Sequence, residues 1–168
     1  MALIDTNKEG IMKKVSFAGI AVLLFSAGLI FGIQITTSSA QSGRTVISPE
    51  NYPYIGFPYS PGILVGDTLY ISGHLGRDPA TTELVEGGIE AETRQAIANI
   101  QEVLSAAGMT LEDVVTVTAF ITDINSFPEF NAVYRGYFPE GPPARATVQV
   151  AALNVGAQVE LQMIAVRP

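Results

Sequence analysis

The chain has no cysteine, no tryptophan, a single histidine, and no lysine after residue 14. Without cysteine there is no disulfide, no thiolate nucleophile and no Cys-ligated metal. One histidine rules out a His-cluster metal site, and the missing lysines leave the body of the protein without a Schiff-base amine. Positive charge is scarce too: from Gln41 onward six arginines stand against fourteen aspartates and glutamates, a net charge of −8. Such a surface repels phosphate backbones, so nucleic acid is not expected as a partner. There is no Gly-x-Ser-x-Gly elbow and no glycine-rich phosphate loop with lysine, and a Ser-His-Asp triad would have to recruit His74.

What is present starts with a leader over residues 1–40. Met12-Lys13-Lys14 precedes 21 uncharged residues, Val15 to Ile35, and small residues ending in Ser38-Ser39-Ala40. This is the three-part form of a secretory signal peptide cleaved after Ala40. The uncharged run is also long enough to remain as a membrane anchor, and both readings stand. Either way the positive flank stays on the cytoplasmic side and the remainder is exported, periplasmic or secreted, touching the membrane only through an uncleaved leader.

After the leader, about 120 to 130 residues make one domain with room for a sizeable core. Residues 41–57 read as an extended arm, because Pro49, Pro53 and the prolines that follow forbid long regular elements. From residue 58 to 168 comes the folded domain. Ile63-Leu64-Val65, Gly66-Asp67 and Thr68 to Gly73 predict strand, turn and strand. Ala96, Ile97, Ile100, Val103, Leu104 and Ala107 recur at helical spacing, with Gly108 placed as a C-terminal cap. Val114 to Thr122 alternates as a strand. Ser126-Phe127-Pro128-Glu129 predicts a capping box opening a second helix, with Phe130, Val133, Tyr134, Tyr137 and Phe138 on its buried side.

The last quarter holds two more strands, Ala144 to Val150 and Val159 to Val166. Read as an antiparallel hairpin, they put Arg145 and Glu160 on one sheet face, a face too apolar at Ile164 and Val166 to be left in water. The predicted order is β-β-α-β-α-β-β, an α+β fold with two helices on one face of a mixed sheet. The other face then needs a cover, and the simplest one is a second copy of the chain.

Six short stretches carry a resemblance to the RidA family (YjgF/YER057c/UK114), in order from about Tyr52 to Val166. They are Pro58-Tyr59-Ser60-Pro61-Gly62, Leu69 to His74, Asn99-Ile100 with Leu104 and Ala107-Gly108, Asn131 to Tyr134 with Tyr137-Phe138, Pro143-Ala144-Arg145, and Val159-Glu160-Leu161 through Val166. The resemblance implies a chorismate-mutase-like subunit in a homotrimer with pockets between subunits. It further implies hydrolysis of a small carboxylate-bearing imine or enamine to a 2-keto acid and ammonia, with no metal or organic cofactor.

Carried over by position, Arg145 matches the arginine that grips the substrate carboxylate, a task suited to a guanidinium fork. Glu160 matches the glutamate that positions water and hands a proton to departing ammonia. Burial raises its pKa and a nearby arginine lowers it, so the sequence leaves its protonation open. Tyr59, Ser72 and Asn131 match residues around the pocket. The chain departs from the family at His74, where many relatives carry glutamine, and at Thr147, where deaminases of the archetypal group often have cysteine; both are kept with Arg145, Tyr59, Ser72 and Asn131 as candidate substrate-binding residues. A non-catalytic trimer of the same fold, binding small acids or acting as a chaperone, is the alternative.

Overall fold

Three strands, a helix, a strand, a second helix and two strands follow one another as the side-chain periods dictate. The computed structural model of the protein describes residues 43–50 and 58–168, all within the unit Ser39–Pro168. The leader, its cleavage point after Ala40 and part of the arm lie outside the described residues. The strands are β1 (Arg44–Ile47), β2 (Gly62–Val65), β3 (Thr68–Leu75), β4 (Val114–Ile121), β5 (Ala144–Gln149) and β6 (Val159–Val166). The helices are α1 (Gly88–Ala106) and α2 (Phe127–Tyr137).

They build one six-stranded sheet in the order β1-β2-β3-β6-β4-β5, with β4 and β5 parallel and every other pair antiparallel. The fold is therefore the α+β arrangement with a mixed sheet. Alternate residues point to the helices: Leu69 and Ile71 from β3, Val117, Ala119 and Ile121 from β4, Val159, Leu161, Met163 and Ala165 from β6. Against them α1 sets Ala96, Ile97, Ile100, Val103 and Leu104, all fully buried, and α2 sets Phe130 and Tyr134. Each large aliphatic side chain sealed there contributes about 1.5–3 kcal/mol. Gly108, in the left-handed region at φ 69°, ends α1, and the Met109 amide closes back onto the Leu104 carbonyl at 2.8 Å.

Three details differ from the sequence reading. First, part of the arm is a strand: Arg44–Ile47 contains no proline and pairs along β2 as the sheet's outer edge, adding a strand before the predicted order. Second, the Ser126 side chain caps nothing. A short 3₁₀ turn, Ile124–Ser126, runs straight into α2, and Asp123 takes up the Asn125 amide at 2.9 Å instead. A capping box does form elsewhere, where Thr110 and Asp113 close the turn Leu111–Asp113.

Third, β5 and β6 are not a hairpin. The β4-α2-β5 segment is a crossover unit, which lays β5 parallel beside β4, and β6 then inserts between β4 and β3. The register settles the faces, since cross-strand partners share one side of a sheet. Arg145 lies opposite Val117, on the helix side, and Glu160 lies opposite Phe120, on the other side. The shared face expected for the two residues is thus absent within one chain.

Candidate active site

At the β5 edge, Arg145 is held from two directions. Its Nη2 donates to Asn131 Oδ1 at 2.8 Å. Its Cζ lies 4.4 Å from the Tyr134 ring centroid, 5.2 Å from Phe130 and 5.6 Å from Phe127. Phe127, Phe130 and Tyr134 recur at spacings of three and four on α2, so one helical stripe offers the guanidinium a floor of aromatic faces. Asn131 stands beside that stripe and fixes the rotation of the fork. Beside the group opens a cavity of about 300 Å³ lined by Asn131, Tyr134, Arg135, Phe138, Pro142, Pro143 and Arg145. Two cations and no acid line it. A guanidinium that is oriented, and carries no carboxylate partner among the described residues, is prepared to receive an anion.

Two hydroxyls sit close by in the chain's own geometry. Tyr134 is buried, and its hydroxyl has no partner among the described residues. Burial pushes its pKa up to about 12 against the opposing pull of Arg145, so the phenol stays protonated. Thr147 follows Arg145 on the same side of β5, opposite Ala119, with its Oγ1 buried and likewise unsatisfied.

The second group gathers on the opposite face. Glu160 stands in a cross-strand row with Leu75, Phe120 and Val148, three apolar neighbours. Desolvation there raises its pKa. Its carboxylate lies over Gly73, where a Cβ would collide with it, at a bulge between Ile71 and His74 in the β3–β6 register. Ser72 donates its hydroxyl to the Ser60 carbonyl at 2.7 Å, and its amide donates to the Pro61 carbonyl at 2.9 Å. These bonds strap the Ser60-Pro61 segment, and with it exposed Tyr59, to β3. The Ser72 proton is thereby engaged.

His74 belongs to neither group. It lies opposite Leu161 on the helix side, only 3% exposed, and burial lowers its pKa to about 4. It is a neutral imidazole of the core. Among the described residues no group of three or more His, Cys, Asp or Glu is placed to hold a metal ion.

So the structure brings Arg145, Asn131 and Thr147 together at the β5 edge, and separately sets Glu160 over Gly73 next to Ser72, which straps the segment carrying Tyr59. Between β5 and β6 runs β4, a separation of roughly 10 Å before the opposite faces are considered. The sequence reading missed Tyr134, Phe127 and Phe130 as the bed of Arg145, Arg135 and Pro142 as cleft walls, and Gly73 as the seat of Glu160. The aromatics were legible as a stripe, but a stripe does not say which strand residue lies over it.

The fold and this arrangement define a small α+β subunit of a known kind. A family model described as endoribonuclease L-PSP matches residues 50–167. The chain belongs to that family, the RidA/YjgF family. It is 48% identical over 124 residues to the 2-iminobutanoate/2-iminopropanoate deaminase of Bos taurus, covering 74% of this chain and 90% of that protein. To a RutC family protein of Sulfurisphaera tokodaii it is 48% identical over 107 residues, 64% of this chain and 86% of the relative. Among solved structures it is similar to RidA from the Antarctic bacterium Psychrobacter sp. PAMC 21119, with TM-score 0.70, 42% identity, and coverage of 74% of this chain and all of that one. The E. coli YjgF gene product superimposes equally, at TM-score 0.70 and 34% identity, covering 74% of this chain and 99% of that one.

Proposed function

We propose that the protein is an imine deaminase, hydrolysing small 2-imino or enamino acids to 2-keto acids and ammonia at sites shared between two copies of the chain. The observation that carries this reading is the Arg145 guanidinium, locked by Asn131 and the α2 rings at the wall of an acid-free cleft. The names of the curated relatives support it. Arg145 grips the substrate carboxylate, and Asn131 and Tyr134 keep the fork in plane. Glu160, supplied by a neighbouring copy, orients water. Water bonds to the imine carbon as one of its protons passes to the Glu160 carboxylate and the C=N π pair moves onto nitrogen; nitrogen then takes that proton from Glu160 and the hydroxyl proton of the adduct as the C–N bond breaks, releasing ammonia and the 2-keto acid. Desolvation raises the Glu160 pKa, which makes the carboxylate a better proton acceptor than an exposed one. Tyr59, Ser72 and Thr147 line the approach.

A shared site also answers for the face turned away from the helices. There Val46 (51% exposed), Ile63, Tyr70 (49% exposed) and Ile164 form one cross-strand row, with Val166 alongside. So apolar a row needs a cover, and a sister subunit in a homotrimer supplies it. Export through the leader is part of the same proposal, and the mass of the mature chain tests it. A net charge of −8 disfavours RNA as the substrate, whatever the family description says.

One experiment tests the shared site directly. Arg145→Ala and Glu160→Gln variants, each inactive on 2-iminopropanoate generated by an amino-acid oxidase, are unfolded and reassembled together. Mixed oligomers regain a part of wild-type activity when the clamp and the acid come from different copies. No recovery, in oligomers shown by mass to be mixed, rejects the composite site. The second reading, a trimer that binds small acids without turnover, rests on the distance between Arg145 and Glu160 within one chain. Ligand binding with no acceleration by the wild type would establish it.

A further inference from the structure

The cleft beside Arg145 contains a second cation that the reaction above leaves unused. Arg135 lies on α2 four residues after Asn131, on the same stripe of the helix, and lines the same cavity of about 300 Å³. Arg145 reaches the cleft from the strand and Arg135 from the helix. No carboxylate lines the cavity, and the Arg94–Glu90 ion pair is elsewhere. The residues after the leader carry six arginines against fourteen acids, yet two of those arginines line one cavity that no acid lines. An anion with two charged ends can engage both guanidinium groups. A monocarboxylate satisfies one.

We infer that this cleft selects substrates with two anionic groups: 2-imino dicarboxylic acids, with the α-carboxylate on Arg145 and the side-chain carboxylate on Arg135. The inference rests on the imine-deaminase reading and specifies its substrate class. The cavity is at the small end of ligand pockets, ample for a four- or five-carbon diacid and too small for a peptide. The chemistry is unchanged: water adds to the imine carbon, ammonia departs, and a 2-oxo dicarboxylate is released without any redox step. Arg135 is exposed and stays hydrated at the mouth until a substrate arrives, so its contribution is screened by salt.

The test compares 2-iminosuccinate, 2-iminoglutarate and 2-iminopropanoate, each generated in situ by an amino-acid oxidase, on full-length wild type, Arg135→Gln and Arg135→Lys. The wild type shows the higher kcat/KM on the diacids. In Arg135→Gln the diacid-over-monoacid ratio falls about tenfold, through KM rather than kcat, and Arg135→Lys restores part of it. The wild-type ratio shrinks as ionic strength rises. Hydrolysis of 2-iminopropanoate with no diacid preference, or with equal losses on both classes in Arg135→Gln, overturns the inference and leaves the deaminase reading intact. If no imine is hydrolysed, the deaminase reading fails, and calorimetry decides the cleft. Tighter binding of 2-oxoglutarate than of pyruvate, lost in Arg135→Gln, upholds a two-anion site, and equal binding rejects it.

Discussion

The two faces of the sheet treat ionisable groups in contrasting ways. On the helix side His74 is sealed in the core and pushed to its neutral form, and Arg145 lies at the β5 edge, against aromatic faces and an amide. On the other side Glu160, carried by the strand that faces His74, is half-buried over Gly73 among apolar neighbours. Desolvation lowers the pKa of His74 and raises that of Glu160, but His74 is sealed under the helices while Glu160 lies on the face they leave uncovered. Burial alone therefore marks no site; burial beside an open face does.

The comparison breaks most severely at Arg145. Arg145→Ala lowers kcat/KM on any carboxylate imine at least about a hundredfold, since two charge-assisted hydrogen bonds are lost, and Arg145→Lys recovers only part. Steady-state kinetics on 2-iminopropanoate check it, and a change under threefold would remove Arg145 from the clamp role. Next comes Gly73→Ala, which swings the Glu160 carboxylate off its seat while leaving the helix-side core untouched. Turnover falls about tenfold or more with little change in Tm; a large drop in Tm with normal kcat would make Gly73 purely structural.

On the sealed side the effect is one of stability and pH. His74 has a folded pKa of about 4 against an ordinary value of 6.5, so the unfolded chain binds the extra proton between them. Stability is full above about pH 6.5 and falls as pH drops towards 4, by about 3 kcal/mol in all. Urea unfolding across that range shows the slope, and His74→Gln flattens it. Glu160 has the opposite sign: its raised pKa favours the folded state at low pH, and that advantage fades as pH rises through the raised value. The smallest effect belongs to the strap. Ser72→Ala loses the bond to the Ser60 carbonyl, costs about 1 kcal/mol, and raises KM a few-fold by loosening Tyr59.

Much of this was readable in the chain. The α1 stripe, the Gly108 stop, the β2–β3 hairpin and the alternation of β4 all follow from local periods and turn chemistry, and all are observed. The capping box at Ser126 was legible but not used, because the preceding 3₁₀ turn gives α2 a different start. Arg145, Asn131 and Glu160 were recognisable one by one through the resemblance. Their grouping was not. Two strands joined by a nine-residue connection read as a hairpin, and only the crossover through α2 shows that β4 stands between them.

By itself, then, the sequence determined the elements, the faces each element buries, the chemistry ruled out by missing cysteine and lysine, and the membership that those spaced stretches announce. These are properties of a few consecutive residues, set by side-chain period and charge. The tertiary structure decided which strand lies beside which, and hence that the guanidinium and the carboxyl point away from each other across one sheet. Strand order depends on contacts between residues far apart in the chain, where local periodicity carries no information.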